Sequence, residues 1–479
     1  MEFIRYNNPM TSAQSFSEMM RTNKNLTLKD KLKTVYLLSL PAILAQISEI
    51  LMEYIDAAMV GSLGAAASAS VGLVASTTWL FGGILNAAAA GFAVQAAYAV
   101  GAGNIEKSKS IFKQSLFASL CVSLPVALLG ILLALRLPQW LGADVSIWQD
   151  ATDYFFFFAL FIPIRQINIL CMNMLQCSGN MKTPSILAGA MCLLDVVYNY
   201  FLIFPSRMVN IFGHFIWMPG AGMGVKGAQL GTCFAIMTVM FVMFYQAGFK
   251  EKALQLQGTK SSWLPQKQIV QTAVKIGLPM ALEQTATTGA MVVSTRIVAP
   301  LGTVAIAANS FAVTAESVCY MPGFGIASAA TTMIGQAVGA ARKDLAKSFA
   351  WLTCGVGVIV QSTLGLLMFF LCPIVFGFLT PDVSVQQLGI QVLRLELFSE
   401  PLFAASIVIT GALRGAGDTL IPGILNLVSI WGVRITIAFF LAKSYGLYGV
   451  WIAMTIELCF RGVLFIIRLA RGRWLEMIQ

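Results

Sequence analysis

The chain has 479 residues, of which 58% are hydrophobic and 11% charged, with a net charge of +10 and a mean hydropathy of +0.78. Soluble domains carry about 25% charged residues, so the composition excludes an ordinary soluble domain and points to an all-α polytopic membrane protein. The basic excess reads as a topology signal beside membrane spans, not as a nucleic-acid footprint, and the single histidine, His214, argues against His-based catalysis or a multi-His metal site.

Residues 1–34 are polar and read as a cytoplasmic tail. The first apolar run, about 35–60, is too long for a cleavable signal. It carries Glu49, Glu53 and Asp56, spaced i, i+4 and i+3, so the three acids stack along one helix face. A charge at the bilayer centre costs ~2.5–3.5 kcal/mol, and three would cost roughly 8–10 kcal/mol if ionised and facing lipid. They must therefore face a wet cavity, pair with cations or carry protons. An acidic face in a membrane helix is by default a cation or proton site. For Glu49 and Glu53 the alternative is a polar packing stripe.

Further apolar runs follow at about 66–99, 111–135, 152–177, 184–205 and 224–248. A polar linker, 249–268, precedes six more at about 270–299, 304–338, 348–378, 388–412, 421–442 and 446–470. Each span needs about 20 apolar residues, so these are twelve predicted transmembrane helices, and 471–479 is a short tail. Nine cysteines, most of them inside apolar runs, read as free thiols. Lys and Arg cluster in the N-terminal stretch, which includes Lys24, after alternate helices, in the linker, which includes Lys260, and at the C-terminus. By the positive-inside rule both termini are cytoplasmic, in a multi-pass protein of the inner (plasma) membrane.

The halves repeat. Leu40-Pro41 matches Leu278-Pro279 (279 − 41 = 238), and the same offset places Gln46 on Gln284, Leu63-Gly64 on Leu301-Gly302, and Ala99-Val100-Gly101-Ala102 on Ala337-Val338-Gly339-Ala340. The register breaks only where the first half carries extra residues around 205–220. Two homologous six-helix lobes, 35–248 and 269–470, therefore insert with the same orientation, related by a pseudo-two-fold axis along the membrane normal. Pro41 and Pro279 sit at equivalent points and are candidate hinges, since proline removes a helix hydrogen bond.

No G-x-x-x-x-G-K-[ST] motif occurs, which argues against direct ATP hydrolysis by this chain. "GMGVKG" at 222–227 matches G-x-G-x-x-G but opens a helix without a preceding strand. It reads as glycine-mediated helix packing.

Around Asp56 the sequence reads "DAAMVGSLG". With "AVGAG" at 99–103, "GLP" at 277–279, "APLG" at 299–302, "LRGAGDT" at 413–419 and "GLYGVW" at 446–451, it resembles the multidrug and toxic compound extrusion (MATE) family across residues 30–470. The resemblance implies two lobes in a V around a central cavity. It implies export of a small amphipathic or cationic organic substrate, or a natural product, by alternating access, against Na⁺ or H⁺ and without a cofactor. Its cation site maps onto Asp56, onto Asp195 and Asn199 of "LLDVVYNYF", and onto Thr232 with the Ala228 carbonyl. Apart from one amide nitrogen these offer oxygen ligands, which suit a hard monovalent cation, while two adjacent carboxylates also hold a proton well. The second half departs from the pattern: Thr287 and Phe403 occupy positions where some members carry acids. Glu283 and Glu400 lie about one turn earlier and are candidates for the same cavity at another depth. The chain is expected to act as a monomer, surrounded by lipid and without enzymatic activity. The alternatives are a flippase of a lipid-linked sugar or peptidoglycan precursor, which needs a cationic cavity, and, more distantly, an integral-membrane enzyme, for which no nucleophile or metal cluster is present.

Overall fold

The computed structural model describes residues 18, 21, 26–211, 214–258 and 261–477, with side chains 209–216 excepted. Lys24, Lys260 and most of the N-terminal tail lie outside the described residues.

The first half forms α1 (Leu28–Gly61), α2 (Ala65–Gly101), α3 (Ile105–Ala134), α4 (Trp148–Leu160), α5 (Ile162–Cys177), α6 (Lys182–Ile203), a hairpin of β1 (Pro205–Ile211) and β2 (His214–Ala221), and α7 (Gly224–Tyr245). The second forms α8 (Lys267–Val298), α9 (Thr303–Gly339), α10 (Lys343–Leu379), α11 (Val383–Glu396), α12 (Glu400–Gly415), α13 (Leu420–Leu427) and α14 (Thr436–Arg471). Eight of the described helices are each long and apolar enough to cross a membrane.

Helix α1 starts ahead of its apolar run because Thr27 caps it. Thr27 Oγ1 accepts from Asp30 N at 3.2 Å, and Thr27 N donates to the Asp30 carboxylate at 3.3 Å, a reciprocal capping box. The run 152–177, expected as one helix, bends by 52° between α4 and α5. Pro163 in the first turn of α5 supplies no N–H to the preceding turn. The tenth predicted helix breaks likewise, at Leu397–Ser399 before Pro401. The two prolines obey the repeat (401 − 163 = 238), so the break belongs to both lobes. Near the end of the chain, the two predicted helices are joined almost directly: the first runs through α13, a π-helical turn (Val428–Ile435) and the start of α14, and the second follows within α14 after Gly446, whose φ of 57° suits glycine. The extra residues near 205–220 are the hairpin.

The lobes meet at the end that carries the linker. Val35, Leu38 and Ala42 of α1 enter one core with Ile326, Met333 and Ile334 of α9. Ala87 and Val94 of α2 pack with Ile276 and Met280 of α8. At the opposite ends, residues 61–66 and 302–304 are exposed, and the space between the lobes is bridged where Tyr54 Oη of α1 donates to the Thr314 carbonyl of α9 at 2.7 Å. Its floor is a cavity of about 220 Å³ bordered by Gln46, Asn86, Asn173, Gln176, Ser328 and Arg414. Pro41 and Pro279 lie inside continuous helices next to this seam.

Both polar connectors pack against the lobes. Gln266 N donates to Gln114 Oε1 at 2.7 Å, and Lys113 Nζ donates to Ser261 O at 2.7 Å, which ties the linker to α3. The predicted C-terminal tail places Trp474, fully buried, in the core of the second lobe.

Candidate functional site: a buried carboxylate pair between α1, α6 and α7

Asp56 lies on α1, Asp195 and Asn199 on α6, and Thr232 on α7. All four come together inside the first lobe. Asn199 bridges the acids: its Nδ2 donates to Asp56 Oδ1 at 2.7 Å and to Asp195 Oδ2 at 3.0 Å. Thr232 Oγ1 lies 3.4 Å from Asp56 Oδ2 and 3.2 Å from the Ala228 carbonyl. Asp195 and Asn199 are completely buried. The two carboxylates lie against each other, and Asp195 Oδ1 has no hydrogen-bond partner. A buried polar atom without a partner costs about 1–3 kcal/mol. The arrangement thus holds two acids in contact, with one spare oxygen, where a proton or a monovalent cation relieves both costs.

The close approach of α6 and α7 makes this geometry possible. A Cβ on Gly231 would fall directly against Asn199 Oδ1 and 3.0 Å from the Asn199 amide nitrogen, and one on Gly227 would meet the Leu202 carbonyl at 2.5 Å. Gly227 is the last glycine of "GMGVKG". Contrary to expectation, a strand does precede that stretch, β2 ending at Ala221, but the strand is one arm of a hairpin; Gly222 and Gly224 turn the chain at positive φ and Gly227 serves helix packing. Gly231→Ala is expected to cost ~1–3 kcal/mol through overpacking, seen as a lower unfolding midpoint in detergent. Gly72→Ala, inside α2 at a position with no neighbour within 4 Å, is the control expected not to lower it, since alanine favours a helix over glycine.

Two residues join this site that sequence reasoning missed. The Arg165 guanidinium on α5 faces Glu49, Glu53 and Asp195, and stacks 5.0 Å from the Phe158 ring. Tyr154 on α4 is buried within electrostatic range of Asp56, Asp195 and Arg165. The available signal was Arg165 itself, a cation inside a span with no partner on its own helix. Glu49 and Glu53 lie on the Asp56 side of α1, both exposed, with the Arg165 charge acting on each of them.

The second lobe separates its candidates. Glu283 on α8 accepts two hydrogen bonds from Arg414 Nη2, both 3.0 Å, and one from Asn426 Nδ2 at 2.6 Å. It is half of an ion pair whose other half, Arg414, borders the floor cavity. Thr287 Oγ1 donates back to the Glu283 carbonyl at 2.9 Å. Glu400 does not share that cavity, contrary to expectation. As the first residue of α12, after the Leu397–Ser399 break, it packs against Gly365 of α10 and accepts from Gln361 Nε2. It is fully buried there, with Glu396 and Glu316 as neighbours. Glu457 and Arg461, four residues apart on α14, pair, with Arg461 Nε 3.1 Å from the Glu457 carboxylate. Among the described residues Arg394 pairs with no acid: its Nε donates to the Phe369 carbonyl at 3.1 Å.

The MatE family model matches residues 41–201 and 279–440, one stretch in each lobe. A probable multidrug resistance protein NorM from Thermotoga maritima is 27% identical over 449 residues, covering 92% of this chain and 93% of the relative. A probable NorM from Bacillus anthracis is 26% identical over 462 residues, covering 94% and 97%. Among solved structures, an outward-facing conformation of a multidrug resistance MATE family transporter superposes with a TM-score of 0.86 at 18% identity, covering 97% of this chain and 98% of the other.

Proposed function

The chain belongs to the MatE family of membrane transporters, and from that premise we propose that it exports a small amphipathic or cationic organic compound, or a natural product, by antiport against Na⁺ or H⁺. The observation that carries the reading is the Asp56–Asp195 pair bridged by Asn199, with an oxygen left without a donor. Ligands shift a two-state protein only through differential affinity for its states. A cation or proton that neutralises this pair favours the packing of α1 against α6 and α7 in which both acids are enclosed. Substrate in the space between the lobes favours the other state, and the exchange is antiport.

The same reading places both termini and the linker on the cytoplasmic side of the inner membrane, in line with the basic loops. It divides the chain into lobes 35–248 and 269–470, flanked by tails at 1–34 and 471–479 and joined by linker 249–268, acting as a monomer. Pro41 and Pro279 are the proposed hinges, where a missing helix hydrogen bond lets α1 and α8 bend next to the seam during the transport cycle. A flippase for a phosphate-linked lipid needs free cations in the cleft. Arg414 is held there by Glu283, which disfavours that alternative.

Proteoliposomes carrying a fluorescent cationic dye test the proposal. An imposed sodium or proton gradient is expected to drive dye movement, and applying each gradient alone identifies the coupling ion. Dye movement indifferent to both gradients would refute antiport.

A further inference from the structure

Beyond the transport pathway, one groove in the second lobe has the chemistry of a lipid site. The last turns of α8 and the stretch Ile435–Lys443 of α14 separate at the end of the lobe away from the linker. They leave a groove of about 690 Å³ between them. Two structural breaks open it. On one side α8 gives way to a short 3-10 turn containing Pro300. On the other, a wide π-helical turn, Val428–Ile435, precedes the α-helix that carries Phe439 and Phe440.

The lining is apolar except at two places. Val293 and Ile297 face Phe439 and Phe440 across the groove, and both phenylalanines are exposed, at 52% and 65%. Arg296 and Lys443 line the same groove. Among the described residues neither forms an ion pair with a carboxylate. Lys443 Nζ lies 4.6 Å over the Phe439 ring, held beside the apolar surface. The feature is particular to this lobe. The repeat places Ala58 opposite Arg296 (296 − 238 = 58), so the first half has no cation at the equivalent point.

We propose that this groove binds one anionic glycerophospholipid, with an acyl chain along Val293, Ile297 and Phe439 and the headgroup phosphate between Arg296 and Lys443. Charge complementarity selects the occupant. Two unpaired cations at the rim repel a cationic solute. A small free anion would gain nothing from the apolar floor. Basic pockets between transmembrane helices bind anionic headgroups, and long basic side chains near helix ends reach toward the interface. The orientation proposed above puts the lipid in the non-cytoplasmic leaflet. The binding chemistry holds whichever leaflet it is.

The test reads lipid binding, so it stands apart from whether the chain is an antiporter. Full-length protein in detergent is titrated with phosphatidylglycerol or with phosphatidylcholine of the same acyl chains, and bound lipid is counted by native mass spectrometry. A basic residue near an anionic headgroup contributes on the order of a fivefold factor in affinity, and two roughly 25-fold. The double variant Arg296→Gln with Lys443→Gln is therefore expected to lose about that factor for phosphatidylglycerol and none for phosphatidylcholine. The charge-preserving pair Arg296→Lys with Lys443→Arg should bind like wild type, which separates lost charge from lost fold. Equal phosphatidylglycerol binding by the wild type and the neutral double variant overturns the proposal. So does displacement of phosphatidylglycerol by inorganic phosphate at comparable concentration, which would mark a simple anion site.

Discussion

Asp56→Asn is expected to reduce gradient-driven dye export by roughly 5- to 150-fold, the range spanned by coupling free energies of ~1–3 kcal/mol. The substitution keeps size and shape. The introduced amide oxygen still accepts from Asn199 Nδ2, which now donates at 2.7 Å, so the helices stay packed. Only the ability to change charge is lost. The variant should therefore fold with a near-normal unfolding midpoint, and dye binding should survive while its dependence on the ion gradient disappears. Glu53→Gln is the informative contrast. Glu53 is exposed and lacks the Asn199 bridge, so its removal should slow transport far less. Proteoliposome assays of both variants decide the matter: wild-type rates for Asp56→Asn would remove this site from the coupling mechanism.

Glu457→Ala is expected to be the most destabilising single change in the second lobe. Glu457 is fully buried on α14. It accepts from Arg434 Nη2 at 2.6 Å and from Ser429 Oγ at 2.6 Å, and Arg461 Nε approaches to 3.1 Å. Removing one partner of a buried ion pair costs ~3–5 kcal/mol, because the charge left behind cannot return to water. Here two guanidinium groups lose their counter-ion, and the π-helical segment Val428–Ile435 loses its anchor to α14. The measurement is thermal unfolding in detergent, where the midpoint should fall sharply. Glu457→Gln keeps one acceptor for Ser429 and Arg434 and should fall between that variant and wild type. An unchanged midpoint for Glu457→Ala would mean that the two arginines find other acceptors.

Much of the site was legible one helix at a time. The spacing of Asp195 and Asn199 puts them on one face of α6, and the Glu49–Glu53–Asp56 spacing does the same on α1, because helix periodicity acts over a few residues. Partnership across helices was a different matter. Asn199 and Asp56 are 143 positions apart, and Glu283 and Arg414 are 131 apart. Helix rotation and depth determine such meetings, and neither leaves a periodic trace. Glu400 illustrates the point. Its spacing from Phe403 suggested the cleft, but the break before Pro401 starts a new helix at Glu400 and buries it against α10. The break itself was readable, since Pro163 and Pro401 obey the same 238-residue offset as the other landmarks.

The amino-acid sequence by itself determined the membrane-spanning class, the two-lobe repeat and the acids that a bilayer does not tolerate unpaired. Those properties follow from local hydropathy, short-range spacing and self-similarity, which need no tertiary contact. Only the tertiary structure decided which of those acids are neutralised and by what. Glu283 is paired by Arg414 and Glu457 by two arginines, while Asp56 and Asp195 share the Asn199 amide, with Thr232 beside Asp56 and, among the described residues, no ion pair to either. The physical reason is that a charge in a low-dielectric interior is governed by what lies within a few ångströms of it, and that neighbourhood exists only once the helices have packed.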